Sequence, residues 1–168
     1  MLLSLQCVSQ VPKHLEIALQ YENVTEVKKN SSPEIDTFLK YVGLSPGNPY
    51  CAAFVSFCIG TADVLLPKIK SGLARKFITK QSIPASKVLT GEITIPAGSI
   101  TIWQNGNTIY GHTGFVLESW KGPKGKTIEA NTNSYLFSSD GEGIYINERN
   151  IKPGNAFRIT YFTLVEYE

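Results

Sequence analysis

The chain has 168 residues, 16 Lys and Arg against 14 Asp and Glu, and a formal net charge of +2. With 42% hydrophobic and only 18% charged residues, the composition excludes a disordered chain and predicts one domain over residues 1–168. No dense basic block indicates a nucleic-acid partner. The longest apolar stretch, near residues 51–59, is far shorter than the ~20 residues of a transmembrane helix, so we expect no transmembrane segment.

The first sixty residues have the periodicity of helices. Residues 13–21 place apolar side chains at i, i+3 and i+4. In the second segment, Ser32 suits the N-cap, Pro33 suits the first helical position and Gly43 suits the C-terminal stop. The third segment, residues 51–59, is apolar on nearly every side, which predicts a buried helix.

The middle of the chain carries a cationic stretch, residues 68–80, with five cations and no acid. The pattern favours a solvated helix face. The alternative is a patch that attracts an anionic polymer.

The last seventy residues have the composition of strands. Aromatic and β-branched residues cluster at 99–103, 111–119, 127–131, 143–147 and 156–166, and Asn105-Gly106 marks a hairpin turn. Helices followed by antiparallel strands predict an α+β fold.

Cys51 is the strongest candidate for a nucleophile. The chain has three cysteines, an odd number at spacings that do not suggest a disulfide scaffold. Cys51 begins the buried helix, where the positive end of the helix dipole favours a thiolate, and only the thiolate is a good nucleophile. The alternative is a small core residue, as we expect for Cys58, while Cys7 near the terminus has no chemical context.

Only two histidines are available as a base. His14, among charged residues at the front of a helix, is predicted to lie on the surface. His112 begins a strand between Gly111 and Gly114, which let another backbone or a substrate approach. By alternation His112, Gly114 and Val116 share a face. If that face packs on the buried helix, the imidazole and the thiol can meet. The alternative is a structural histidine at the edge of a strand.

Glu129 and Asn131 supply the third element, since positions i and i+2 of a strand point the same way. Either side chain can hold the imidazole tautomer that accepts the thiol proton. A surface glutamate and ordinary turn chemistry are the alternatives.

Three motifs in this order resemble the CHAP family of cysteine amidases and peptidases, relatives of the NlpC/P60 enzymes. They are Tyr50-Cys51-Ala52-Ala53-Phe54-Val55, Gly111-His112-Thr113-Gly114-Phe115-Val116 and Ile128-Glu129-Ala130-Asn131-Thr132. The similarity extends over about residues 20–165.

The resemblance implies a papain-like fold in which the nucleophile helix packs on an antiparallel sheet. It further implies a peptidoglycan hydrolase, either an N-acetylmuramoyl-L-alanine amidase or a stem or cross-bridge endopeptidase. Cys51 would attack, His112 would transfer protons, Glu129 would orient the imidazole, and Asn131 would support them. Substrate contacts are assigned to three residues near the site, Asn48, Tyr50 and Trp103. We expect no cofactor and no metal, because the chain lacks a calcium-type cluster of carboxylates.

Two other functions stay open: a non-catalytic binding or structural module of a cell-wall or phage assembly, and a cysteine peptidase acting on proteins. We expect a monomer that acts on peptidoglycan or muropeptides at the cell wall, in the periplasm or outside the cell. Residues 1–8 show no Sec-type signal, which suits a phage lysin or a delivered effector held in the cytoplasm until release, or else a truncated leader.

Overall fold

The computed structural model describes residues 10–133, 142–151 and 158–168, so the predictions for Cys7 and residues 1–8 lie outside it. The helices of the described residues are α1 (Lys13–Leu19), α2 (Pro33–Tyr41), α3 (Cys51–Thr61) and α4 (Ala85–Leu89), with a 3-10 helix at Ala74–Phe77. The strands are β1 (Ile83–Pro84), β2 (Ile100–Asn105), β3 (Gly111–Val116), β4 (Lys124–Thr132), β5 (Gly143–Asn150) and β6 (Arg158–Thr163). The predicted α+β class is confirmed.

Helix α2 begins and ends where its local signals predict. The Ser32 hydroxyl accepts a hydrogen bond from the Ile35 N–H at 3.3 Å, and Pro33 is the first helical residue. Gly43 ends the helix at a φ of +79°, a left-handed conformation that glycine adopts without strain. These ends fix the helix against α3, where the rings of Phe38 and Phe54 lie 5.3 Å apart.

Helix α3 is the buried centre of the fold. Every residue except Phe57, Gly60 and Thr61 is buried, as the uniformly apolar sequence predicts. On the sheet side, Phe54 packs 6.3 Å from Phe115 of β3, measured between ring centres. Burying each such side chain contributes about 1.5–3 kcal/mol, so the core holds the start of α3 in place.

The six strands pair antiparallel in the order β1-β6-β2-β3-β4-β5. The ladder between β3 and β4 ends at Gly114 and Glu129, although β3 starts earlier and β4 continues to Thr132. The two central strands therefore separate at one end of the sheet. His112 lies at that end, opposite Trp103 of β2.

The face of β3 that packs on α3 is the one that carries Phe115. Val116 belongs to a second cluster with Val88 of α4, Trp120 and Phe162, whereas Phe115 packs on α3. Because side chains alternate along a strand, His112 shares the face of Val116, away from the body of α3. The condition that this face packs on the buried helix is therefore not met, yet the His112 ring interacts with the Cys51 thiol at the start of α3.

His14 is buried, with 1% of its surface exposed, so its predicted surface position is also wrong. Its Nε2 lies 2.7 Å from the Gly98 carbonyl oxygen, and its Nδ1 lies 2.6 Å from the Tyr167 hydroxyl. Nε2 therefore carries the proton and donates to Gly98, while Nδ1 accepts a hydrogen bond from the Tyr167 hydroxyl. Burial lowers the pKa of His14, although the bond to Gly98 opposes the shift.

The cationic stretch is largely irregular rather than one helix face. Only Ala74–Phe77 is helical, with Arg75 and Lys76 exposed. Lys70 lies 4.5 Å from the centre of the Tyr41 ring. The prediction of a single helix face is therefore wrong. The alternative, a cationic patch that attracts an anionic polymer, stays a prediction. No helix in the described part of the chain combines the length and the apolar character that a bilayer crossing requires.

Candidate active site

Cys51 is the first residue of α3, with 8% of its surface exposed. The N–H of the preceding Tyr50 donates to Asn131 Oδ1 at 3.1 Å, and Asn131 Nδ2 donates to Asn30 Oδ1 at 3.3 Å. Asn131 has a φ of +58° at a register shift in β4. This residue therefore ties the start of α3 to the end of β4, at the point where β3 and β4 have separated.

The His112 imidazole lies between the thiol and a carboxylate. Its Nε2 is 2.8 Å from Glu129 Oε2, and the Cys51 thiol interacts with the same ring. Since Glu129 engages Nε2, Nδ1 is the ring nitrogen that is left for the thiol. Burial lowers the pKa of His112, but the hydrogen bonds and charges of Cys51 and Glu129 outweigh it and raise the pKa from 6.5 to about 9. The arrangement favours the imidazolium form of His112 at neutral pH.

The Glu129 carboxylate is fully buried, and both of its oxygens are engaged. Oε1 accepts from the Thr127 hydroxyl and from Arg149 Nε, the latter at 2.7 Å; Oε2 accepts from His112 and from Arg149 Nη2. Burial raises the pKa of Glu129, but the bonds and charges of Arg149 and His112 lower it to about 2. The carboxylate is therefore ionised throughout the neutral range.

Sequence analysis missed Arg149, which lies on β5, 20 residues after Glu129. Its side chain is only 15% exposed. Within the polar run Asn147-Glu148-Arg149-Asn150 it resembles a surface cation. The available signal was alternation, because Tyr145, Asn147 and Arg149 share a face and Tyr145 pairs with Glu129. That signal has meaning only once the β4–β5 register is known.

Gly111 and Gly114 permit the close approach of neighbouring backbone. This is one of the two roles predicted for them; the other is the approach of a substrate. A Cβ on Gly111 would lie 2.6 Å from the Trp103 carbonyl oxygen. A Cβ on Gly114 would lie 2.5 Å from the Ile128 carbonyl oxygen and 2.7 Å from Glu129 Cγ. Gly114 therefore leaves the space that the Glu129 side chain occupies.

Trp103 supports the imidazole. Its ring stacks on His112 with 5.5 Å between ring centres and 24° between planes, and the Arg149 guanidinium lies 5.5 Å from the Trp103 ring centre. With 5% of its surface exposed, Trp103 has little area for a ligand. Its assignment as a substrate contact stays a prediction.

The other assigned contacts also have structural partners. Tyr50 is fully buried, and its hydroxyl donates to Glu26 Oε1 at 3.1 Å; burial and Glu26 raise its pKa. Asn48 is half-buried and donates to the Ser45 carbonyl oxygen at 2.9 Å, within the turn before α3. Asn48 therefore stabilises the turn and Tyr50 lies in the core, and their roles as substrate contacts stay predictions.

Among residues 10–133, 142–151 and 158–168, no group of three or more His, Cys, Asp and Glu is arranged to hold a metal ion. The absence of a metal and of a cofactor stays a prediction. The described groups are sufficient for acid–base and nucleophilic chemistry.

The family model of the CHAP domain matches residues 43–131, just over half of the chain. The matched range runs from the end of α2 to Asn131, so it contains Cys51, His112 and Glu129, while Arg149 lies beyond it. No curated protein sequence matches the chain.

Proposed function

The chain belongs to the CHAP domain family, and from this we propose that it is a cysteine hydrolase that cleaves an amide bond of peptidoglycan. Family membership supports amidase or peptidase activity on peptidoglycan in general. The observation that carries the proposal for this chain is the line of Cys51, His112 and Glu129 at the open end of the sheet. The scissile bond is the muramoyl–alanine amide, a stem-peptide bond or a cross-bridge bond.

In the first half of the reaction, the Cys51 thiolate attacks the amide carbonyl carbon and forms a C–S bond. Negative charge then develops on the carbonyl oxygen. The first N–H groups of a helix have no partner within it, so the Cys51 N–H is the proposed oxyanion donor. Removing one such donor typically costs about 100–1,000-fold in rate.

His112 carries the proton in both halves. Its imidazolium gives the Nδ1 proton to the leaving nitrogen as the C–N bond breaks, which leaves a thioester on Cys51 and releases the amine. Neutral His112 then takes a proton from the water that attacks the thioester. The C–S bond breaks, the carboxylic acid leaves, and the thiolate–imidazolium pair is restored. Glu129 stays ionised and stabilises the imidazolium throughout.

We assign substrate contact to the turn between β2 and β3, which directly precedes His112 in the chain. Ile109 and Tyr110 are 60% and 69% exposed. The Asn105 N–H donates to the Tyr110 carbonyl at 3.1 Å, which continues the pairing of β2 with β3, so Tyr110 shares the face of His112 two residues away. Arg75 donates to the Thr108 carbonyl oxygen at 3.0 Å and holds the turn.

The proposal is tested on purified peptidoglycan sacculi with the parent protein, Cys51→Ala and His112→Ala. The matched control is Cys58→Ala, which changes a fully buried thiol about two turns along the same helix from Cys51. We expect release of muropeptides by the parent and the control and none by the two site variants. Mass spectrometry of the new chain ends then identifies the bond.

Other outcomes separate the competing functions. Equal release by the parent and Cys51→Ala would contradict the cysteine mechanism. Cleavage of denatured proteins without cleavage of sacculi would indicate a protein peptidase, and binding to sacculi without any cleavage would indicate a binding module.

The proposed site of action is the cell wall, because that is where the substrate lies. We propose that the protein acts as a monomer, since the triad comes from one chain. Light scattering during size-exclusion chromatography measures the mass in solution.

A further inference from the structure

Arg149 engages both oxygens of the Glu129 carboxylate in a fork. Nε donates to Oε1 at 2.7 Å and Nη2 donates to Oε2. Nη2 also approaches the Thr132 hydroxyl at 3.3 Å, and the guanidinium lies against Trp103. A bidentate arginine fixes the plane of a carboxylate, which a single hydrogen bond does not.

We propose that Arg149, which lies outside the family match, is a positioning residue that holds Glu129 toward His112; this inference rests on the proposed function. Oε2 is shared between Arg149 and His112. The carboxylate plane that satisfies the fork is therefore the plane that presents Oε2 to His112 Nε2 at 2.8 Å. Without the fork, Thr127 alone would hold Oε1, and the carboxylate could turn away from the imidazole.

The charge of Arg149 has a second consequence. Among the described residues, the ionisable groups that face Glu129 are His112 from β3 and two residues of β5, Arg149 and the cross-strand neighbour Tyr145. Helix α3 contributes Cys51 beyond the imidazole, and β2 contributes the uncharged Trp103. Burial raises the pKa of Glu129, and the hydrogen bonds from Arg149 make the largest contribution that lowers it. Without Arg149, Glu129 takes up a proton at higher pH, and His112 then loses its counter-ion.

The test compares the parent with Arg149→Gln and Arg149→Lys. Lys126→Gln is the matched control, because it removes a cation of β4 whose ion pair is with the exposed Glu118, at 3.5 Å. Two rates are measured from pH 4 to 9: release of muropeptides from sacculi, and alkylation of Cys51 by iodoacetamide in a Cys7→Ser background. Alkylation needs no substrate, and Cys58 is fully buried.

For Arg149→Gln we expect about a hundredfold slower hydrolysis at pH 7, the cost of misplacing a catalytic group by ~1 Å. The acid limb of alkylation should move up by about one pH unit or more. Arg149→Lys should keep the acid limb closer to that of the parent but not the rate, because an ammonium cannot form the fork. Lys126→Gln should match the parent in both.

An unchanged acid limb in a folded Arg149→Gln would overturn the proposal, even if its melting temperature fell. If that variant does not fold, Arg149→Lys decides: parental hydrolysis would overturn the proposal, and a slow rate with a near-normal acid limb supports it. If the parent releases no muropeptides, the proposed function fails, whereas the alkylation profiles still decide the role of Arg149.

Discussion

The two histidines should titrate on opposite sides of the ordinary imidazole value of 6.5. The pKa of His112 is raised to about 9, while burial lowers the pKa of His14. One pKa unit corresponds to about 1.4 kcal/mol, so the surroundings of His112 favour its imidazolium by about 3 kcal/mol. At pH 7.5 this makes the imidazolium roughly thirty times more abundant than neutral imidazole.

Glu129→Gln removes the anion that contributes to this shift and keeps the shape of the side chain. Burial then acts on His112 with only Cys51 to oppose it, and Arg149 loses its counter-ion. We expect the pKa of His112 to fall by about one to three units and hydrolysis to fall about a hundredfold or more, since the thiolate loses its partner.

Proton NMR of the imidazole C2 protons measures this directly between pH 5 and 10. With only two histidines in the chain, His14→Gln assigns both signals. Glu118→Gln, which changes an exposed carboxylate, is the control and should leave both midpoints in place. A parental His112 midpoint at or below 6.5, or one that Glu129→Gln leaves unchanged, would refute the electrostatic account of the site.

Three further predictions test other parts of the structure. Gly114→Ala places a Cβ 2.5 Å from the Ile128 carbonyl oxygen and 2.7 Å from Glu129 Cγ, so we expect a loss of about 1–3 kcal/mol in the free energy of unfolding and slower hydrolysis; parental values in thermal unfolding and in the sacculus assay would contradict this. Because the folded pKa of His14 lies below the unfolded value of 6.5, the unfolded chain binds its proton more readily, and stability should fall as pH drops from 6.5 toward 5. Above that window the stability contributed by His112 is lost as pH rises through about 9, and below it the stability contributed by Glu129 is lost as pH falls from 4.5 through about 2. Urea unfolding between pH 5 and 6.5 should therefore show a free energy of unfolding that rises with pH, and His14→Gln should abolish this slope. An equal slope in both proteins would count against the buried neutral imidazole. Tyr110→Ala should raise KM for a soluble muropeptide about fivefold, the effect of losing about 1 kcal/mol of aromatic contact, with kcat little changed; Leu66→Ala, an exposed apolar residue in the segment after α3, should not, and an unchanged KM in Tyr110→Ala would remove that turn from the substrate site.

Local signals in the sequence were reliable where the physics is local. Ser32 and Gly43 set the ends of α2 because capping bonds and a left-handed φ involve only residues a few positions away. The apolar character of residues 51–59 indicated a buried helix for the same reason. His14 failed this kind of reasoning, since Tyr167 and Gly98, which cover it, are far along the chain.

The face of β3 that carries His112 shows a different limit. Alternation groups His112 with Val116, but it does not state which face the helices cover. The structure covers the Phe115 face with α3, and the Cys51 thiol interacts with His112 at the end of the sheet where the ladder between β3 and β4 has ended.

Sequence alone determined the fold class, the position of Cys51 at a helix start, and the residue types able to attack, transfer a proton and orient an imidazole. Those properties follow from periodicity, capping and side-chain chemistry, which neighbouring residues set. Tertiary structure decided that Arg149 holds Glu129, that Asn131 anchors the start of α3, and that Tyr50 and Trp103 are buried. These contacts depend on strand register and on which elements cover each face, and both are fixed only when residues distant in the chain pack together.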